Sequence, residues 1–177
     1  MIINKAYTSL RVLPPKVTSI DMPNVIKYIQ SHDYYTTEEK RMAYIIFRNE
    51  SLNGRKGINN NFIGFQCDGG VWPSQYNQFF IGYCIQKENK TKKERGFLCF
   101  SKWQDSIDII LDEVENRKMY LGGKITSPYV GFSLVTRENM CRAYEDLWVY
   151  GDKNYIPTKI EIRDFDSMYE QATKLFK

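Results

Sequence analysis

A chain of 177 residues, 42% hydrophobic and 26% charged, has the length and apolar content to bury one substantial core, and its net charge of +4 is too small and too dispersed to demand a nucleic-acid partner. A single histidine and four cysteines without Cys-x-x-Cys spacing argue against a zinc centre, and no run approaches the roughly 20 apolar residues of a membrane span. The first residues, MIINKAYTSLRV, lack the charged and apolar regions of a secretory leader, so the expectation is synthesis in a cytoplasm, with reduced, structural cysteines.

In chain order, residues 1–20 read as an extended arm, because Leu10, Val12 and the Pro14-Pro15 pair do not propagate a helix. The domain proper is read as 21–177. Asp21 caps a short helix with Pro23 in its first turn and Met22, Val25, Ile26 and Ile29 as its apolar stripe. Thr36 followed by Glu39 has capping-box spacing and opens a second helix. On that helix Ala43, Ile46, Phe47 and Glu50 fall at i, i+3, i+4 and i+7, so a carboxylate lands on the core-facing stripe at the helix end. Burial and the negative helix C-terminus should both hold a proton there, which is what a general acid needs.

Gly54 and Gly57 end the helix. Asn59-Asn60-Asn61 open a turn, helical or otherwise, and Phe62–Gln66 is a short apolar strand or buried turn. Asp68-Gly69-Gly70 is a turn signal. Strands are expected over 78–85 and 96–100, forming the one evident hairpin, with five basic residues at its solvated tip: Lys87, Lys90, Lys92, Lys93 and Arg95. Ser101 and Gln104 suggest a capping box for a third helix with Trp103, Ile107, Ile110, Leu111 and Val114 inward and Asp105, Asp108 and Asp112 outward. A loop with Pro128 follows. Thr136 caps a fourth helix, with Met140, Tyr144, Leu147 and Trp148 on one side, and Gly151 closes it. A last helix starts at Asp164 or Asp166. The class is α+β: a mostly helical body with a small β-hairpin lobe.

Aromatic content is 15%, dominated by 13 Tyr. Tyrosine has an apolar face and a polar tip, suited to a groove for a polar polymer and equally to a half-buried core. His32 is the only residue available to a histidine-dependent triad, and no Gly-x-Ser-x-Gly elbow accompanies it.

The string Glu50-Ser51-Leu52-Asn53-Gly54, then Asn60–Gln66, then Trp72, resembles the core of bacterial and phage peptidoglycan hydrolases with a lysozyme-like fold. Gly64-Phe65-Gln66 is similar to a shortened form of the segment that follows the Glu-Ser pair of lytic transglycosylases. Asn60–Gln66 also resembles the Asn-Asn-x-Phe-Gly-Ile-Lys pattern of the flagellar and autolysin glucosaminidases, with one extra residue before Gly64. Phe97–Ile107, Met119-Tyr120 and Gly151–Tyr155 are similar to later segments of that branch, so the resemblance covers roughly 36–160. It departs at Phe65-Gln66, where the family has Ile-Lys, and at Trp148–Tyr150, where its tyrosine is displaced.

The resemblance implies a catalytic cleft beside the hairpin and cleavage of the glycan strand between N-acetylglucosamine and N-acetylmuramic acid, by hydrolysis or by transglycosylation. Glu50 would be the general acid. The second acid would fall near Glu88, with Glu94 and Asp68 as other candidates. Ser51, Asn61, Gln66, Asp68, Trp72 and Tyr150 would line the sugar groove. No cofactor or metal is implied. The implied partners are peptidoglycan strands and, for a phage endolysin or a virion-borne lysin, a holin or the virion. The alternative is an inactive lysozyme-fold protein that builds a virion or binds the wall. Nucleic-acid binding through the hairpin tip is a further reading, against which the modest charge argues.

Overall fold

The structure, a computed structural model, describes residues 10–67, 72–87, 92–126, 133–152 and 154–177. It mixes helices with two small antiparallel two-stranded sheets, as the α+β class requires. The elements are β1 (Val17–Thr18), α1 (Met22–Gln30), α2 (Thr37–Glu50), β2 (Gly57–Ile58), β3 (Phe80–Lys87), β4 (Glu94–Phe100), α3 (Gln104–Arg117), α4 (Arg137–Tyr144) and α5 (Lys159–Leu175). Among the described residues no helix is long and apolar enough to cross a membrane. Asp68, Glu88, Lys90, Pro128 and residues 1–9 of the arm lie outside the described residues.

The chain divides into two compact units, residues 1–25 with 47–109, and 26–46 with 110–177. In the first unit, residues 10–20 are stitched into the body rather than standing apart as an arm. Leu13 N–H donates to Tyr83 O at 2.7 Å and Tyr83 N–H donates to Arg11 O at 3.0 Å. Val17 and Thr18 pair with Ile58 and Gly57, a second sheet that the sequence did not announce because each strand is two residues long. The close approach at Gly82 explains why that position carries no side chain: a Cβ there would lie 2.5 Å from Arg11 O.

The hairpin forms where it was expected, shifted toward its tip. Phe80 pairs with Phe100 and Lys87 with Glu94, with an irregularity between Phe80 and Gly82. Residues 74–79, whose first expected strand positions were Gln78 and Phe79, form a 3-10 helix instead. The Asn-rich run is a tight turn, not a helical one. Ile58 and Asn61 exchange both backbone hydrogen bonds, at 3.2 and 2.9 Å, across Asn59 and Asn60. Both central residues have positive φ, 48° and 62°, the type I′ geometry that asparagine tolerates.

In the second unit, Thr36 and Glu39 make the reciprocal capping box at the start of α2. Thr136 caps α4 by accepting from Asn139 N–H. Glu145–Tyr150 continues α4 as a π-helical turn, and left-handed Gly151 (φ 66°) ends it. The last helix starts at Lys159, earlier than expected, because Thr158 and Glu161 form a full capping box ahead of Asp164. Phe165, Tyr169 and Ala172 are its buried residues.

Two further expectations change. Asp105 is fully buried, not outward. Its Oδ2 accepts from Lys102 N–H at 3.0 Å and from the Ser101 hydroxyl at 2.6 Å, so it takes the role assigned to a Ser101–Gln104 box. And Met42–Phe47 of α2 is buried on every side, so the stripe that ends at Glu50 belongs to a helix without a solvent face over that stretch.

Candidate active site

Glu50 is the last residue of α2 and is half-buried. Behind it the chain turns sharply: Leu52, Asn53 and Gly54 all have positive φ, at 50°, 56° and 76°. Asn53 N–H donates to Arg48 O at 2.8 Å and Lys56 N–H to Ser51 O at 2.8 Å, closing the helix end. Gly54 N–H donates to the Ser51 hydroxyl at 2.8 Å, and that hydroxyl donates to Phe47 O. Ser51 is fully buried by these bonds, so it shapes the turn that presents Glu50 and offers nothing to a ligand. Gly54 also pairs with the incoming segment, accepting from Ile20 N–H at 2.8 Å.

The cleft onto which Glu50 opens has a volume of about 240 Å³ and lies wholly within the first unit. Lys56, Ile58, Asn61, Phe62, Gly64, Gln86, Lys87 and Phe97 line it with Glu50. Exposed Lys56, Gly64 and Lys87 stand at its rim. Gly64 has φ 64° and open space where a Cβ would be. The walls thus offer three apolar side chains, two amides, two ammonium groups and one carboxylate.

The other residues singled out in the sequence divide unevenly. Asn61 lines the cleft, but its amide is spent on the scaffold. Its Nδ2 donates to Phe65 O and Leu98 O, at 3.0 and 2.8 Å, and its Oδ1 accepts from the N–H groups of Ile63 and Phe65. Trp72 is only 3% exposed; its indole N–H donates to Asn77 Oδ1 and its ring meets Phe80 edge to face. It therefore has no free face for a sugar to stack on. Gln66 is half-buried, bridged to Phe97, and is not a lining residue. Glu94 is exposed at the start of β4, opposite Lys87. Tyr150 belongs to the second unit, where it is 44% exposed and stacked on Tyr155 with ring centroids 4.1 Å apart. Asp68 and Glu88 lie outside the described residues, so neither is placed near Glu50.

Lys56, Ile58, Gln86, Lys87 and Phe97 were missed as cleft residues. The available signal was Lys87, counted with the solvated tip although the hydrophobic alternation of its strand runs up to it. Cysteine chemistry is closed off. All four thiols are free and buried. Burial pushes the Cys99 thiol up to about 12, with Cys84 and Cys67 nearby adding to the effect and the Asn59 amide opposing it. Burial likewise raises Cys141 to about 12. His32 sits in the second unit with Nδ1 2.8 Å from Tyr28 O and its ring edge-on to Tyr28. Among the described residues no group of three or more His, Cys, Asp or Glu is placed to hold a metal ion.

The chain matches no protein-family model, no curated protein and no solved structure.

Proposed function

We propose that this protein is a peptidoglycan glycan-strand hydrolase of the lysozyme-like kind, with Glu50 as its proton donor. The observation that carries the reading is the position of Glu50, half-buried at a helix end and lining a cleft with apolar and amide walls. Sugar polymers are held by such mixtures of apolar faces and hydrogen-bonding groups. The resemblance of Glu50–Gly54 and Asn60–Gln66 to muralytic enzymes supports the same reading.

Breaking a glycosidic bond requires a proton on the leaving oxygen. Glu50 is the one carboxylate among the described lining residues, which favours a route with a single acid. Protonated Glu50 gives its proton to the leaving oxygen. The resulting carboxylate then takes the proton of the substrate's own 6-hydroxyl as that oxygen attacks the anomeric carbon, leaving a 1,6-anhydro end. Water in place of the 6-hydroxyl gives a reducing end. A route that needs the protonated acid should lose rate on the alkaline limb of the pH–rate profile, where that proton is lost. The enzyme would reach the wall as a phage endolysin through a holin lesion, or as a virion-borne lysin.

The test is Glu50→Gln on purified cell wall. Release of glycan fragments should fall by about 100-fold or more while wall binding persists. Equal clearing by variant and parent would overturn the assignment, and mass spectrometry of the fragments distinguishes anhydro from reducing ends. A single carboxylate among the described lining residues also suits, as a second reading, an inactive wall-binding or virion module. That protein would bind wall and release neither kind of end.

A further inference from the structure

We infer that Lys56 and Lys87 form an anion-recognition pair in the Glu50 cleft, and that the strand it takes carries a free carboxylate on the sugar it binds. The inference rests on the glycan reading of the cleft. Both lysines line it. They come from separate elements and are anchored independently. Lys56 follows the closed turn and has its backbone N–H on Ser51 O, whereas Lys87 ends β3 in register with Glu94. A neutral sugar is held by amides and apolar faces, and Gln86, Ile58, Phe62 and Phe97 already bring these. Two ammonium groups at one small cleft answer a different need. Each is a hydrated point charge on a flexible stem, suited to reading a carboxylate by charge.

The distribution of charge across the chain points the same way. The unit that holds the cleft carries 12 Lys and Arg against 7 Asp and Glu, net +5, while the other carries 13 against 14, net −1. The basic surplus of the whole chain therefore lies in the unit that holds the cleft, which favours an anionic polymer over a neutral one.

In peptidoglycan, N-acetylmuramic acid bears a lactyl group whose carboxyl is normally bound as an amide to the stem peptide. It is a free carboxylate only where that peptide has been removed. The substrate class is thus the peptide-free strand, and the reaction that must supply it is hydrolysis of the lactyl–peptide amide bond.

The experiment measures binding of the Glu50→Gln protein to three soluble probes: peptide-free peptidoglycan strands, the same strands with their carboxyls converted to amides, and neutral chitin oligosaccharides. The peptide-free strands should bind at least tenfold more tightly than either other probe. The preference should shrink toward unity in Lys56→Ala/Lys87→Ala and at high salt. Both lysines are exposed, so the double variant should keep the parent's melting temperature, which is measured alongside. Free lactate at millimolar concentration should not displace the strands; displacement would reassign the pair to a small free acid and overturn the inference. Equal affinity for the carboxylate and amide forms, a preference that survives loss of both lysines, or no binding of any probe would overturn it too. The two readings fail separately. Turnover unaffected by Glu50→Gln removes the catalytic role and leaves the anion pair standing. Lost turnover with no carboxylate preference does the reverse.

Discussion

The two units lean to different degrees on two kinds of bond, although the first also has local caps at Asp21 and Asp105. In the second, the helix starts are fixed by hydroxyl and carboxylate caps three residues apart: Thr36 with Glu39, Thr136 with the N–H of Asn139, and Thr158 with Glu161. In the first, the turns are fixed by asparagine amides that reach across the chain. Asn59 donates to Pro14 O and to the Cys99 thiol, and accepts from Lys16 N–H. Asn60 reaches Phe100 O and Ser101 O, while its own N–H meets Thr18 Oγ1. Asn61 spans to Leu98. Short strands and turns leave backbone groups of the first unit to be satisfied by side-chain amides, of which that of Asn61 is buried beside the cleft.

The sharpest way to break this comparison is Asn61→Ala against Thr158→Ala. Losing Asn61 removes four hydrogen bonds, from the N–H groups of Ile63 and Phe65 and to the carbonyls of Phe65 and Leu98, of which Phe65 O keeps its bond from Leu98 N–H, and should cost about 3 kcal/mol. Losing the Thr158 cap should cost about 1 kcal/mol. Urea unfolding of the two variants measures both. Equal losses would mean that the asparagine network is no more than a set of ordinary caps.

Gly54→Ala tests whether the turn behind Glu50 is bound to the segment at residue 20. An added Cβ would lie 2.1 Å from Ile20 O, a backbone atom, at a position with φ 76°. The turn or the segment has to move, at an expected cost of about 2–3 kcal/mol. Under the proposed function, activity on cell wall should fall with stability, because the same turn carries Glu50. A folded, fully active variant would show that the segment is a loose covering.

This difference in bonding also decides what could be read from the sequence. A capping box is a local signal at fixed spacing, and the Thr36 and Thr136 starts were legible for that reason. The Thr158 start had the same signal and was passed over in favour of Asp164, a residue with the right chemistry but no partner at the right offset. The asparagine staples were not legible, since their partners lie up to 45 residues away and are mostly backbone atoms, which carry no sequence signature. The turn chemistry of Asn59-Asn60 was visible; its hairpin geometry depended on the pairing of Ile58 with Asn61. Asp105 was assigned to solvent on its helical phase and Trp72 to a sugar groove by the resemblance, whereas a local cap buries the first and an aromatic cluster the second. Of the cleft, Glu50 was legible from helical phase and Asn61 from its motif, whereas Lys56 and Lys87 come together only through the fold.

The smallest effect belongs to the second unit, where a carboxylate is buried without the satisfaction that the asparagines achieve. Asp146 lies in the π-helical turn, its Oδ1 has no hydrogen-bond partner among the described residues, and Arg142 Nε is 3.8 Å from its Oδ2. Burial raises its carboxyl above the usual range, and Arg142 only partly opposes the rise. A raised carboxyl contributes stability that is fully present below its unfolded value of 3.8 and is lost as pH climbs through the folded value. At neutral pH the buried charge therefore works against the fold. Asp146→Asn should gain about 0.5–1 kcal/mol at pH 7 and nothing near pH 3. Urea unfolding at the two pH values measures the difference. A loss at pH 7 would show that the attraction of Arg142 outweighs the cost of burying the charge, and that this turn is held electrostatically after all.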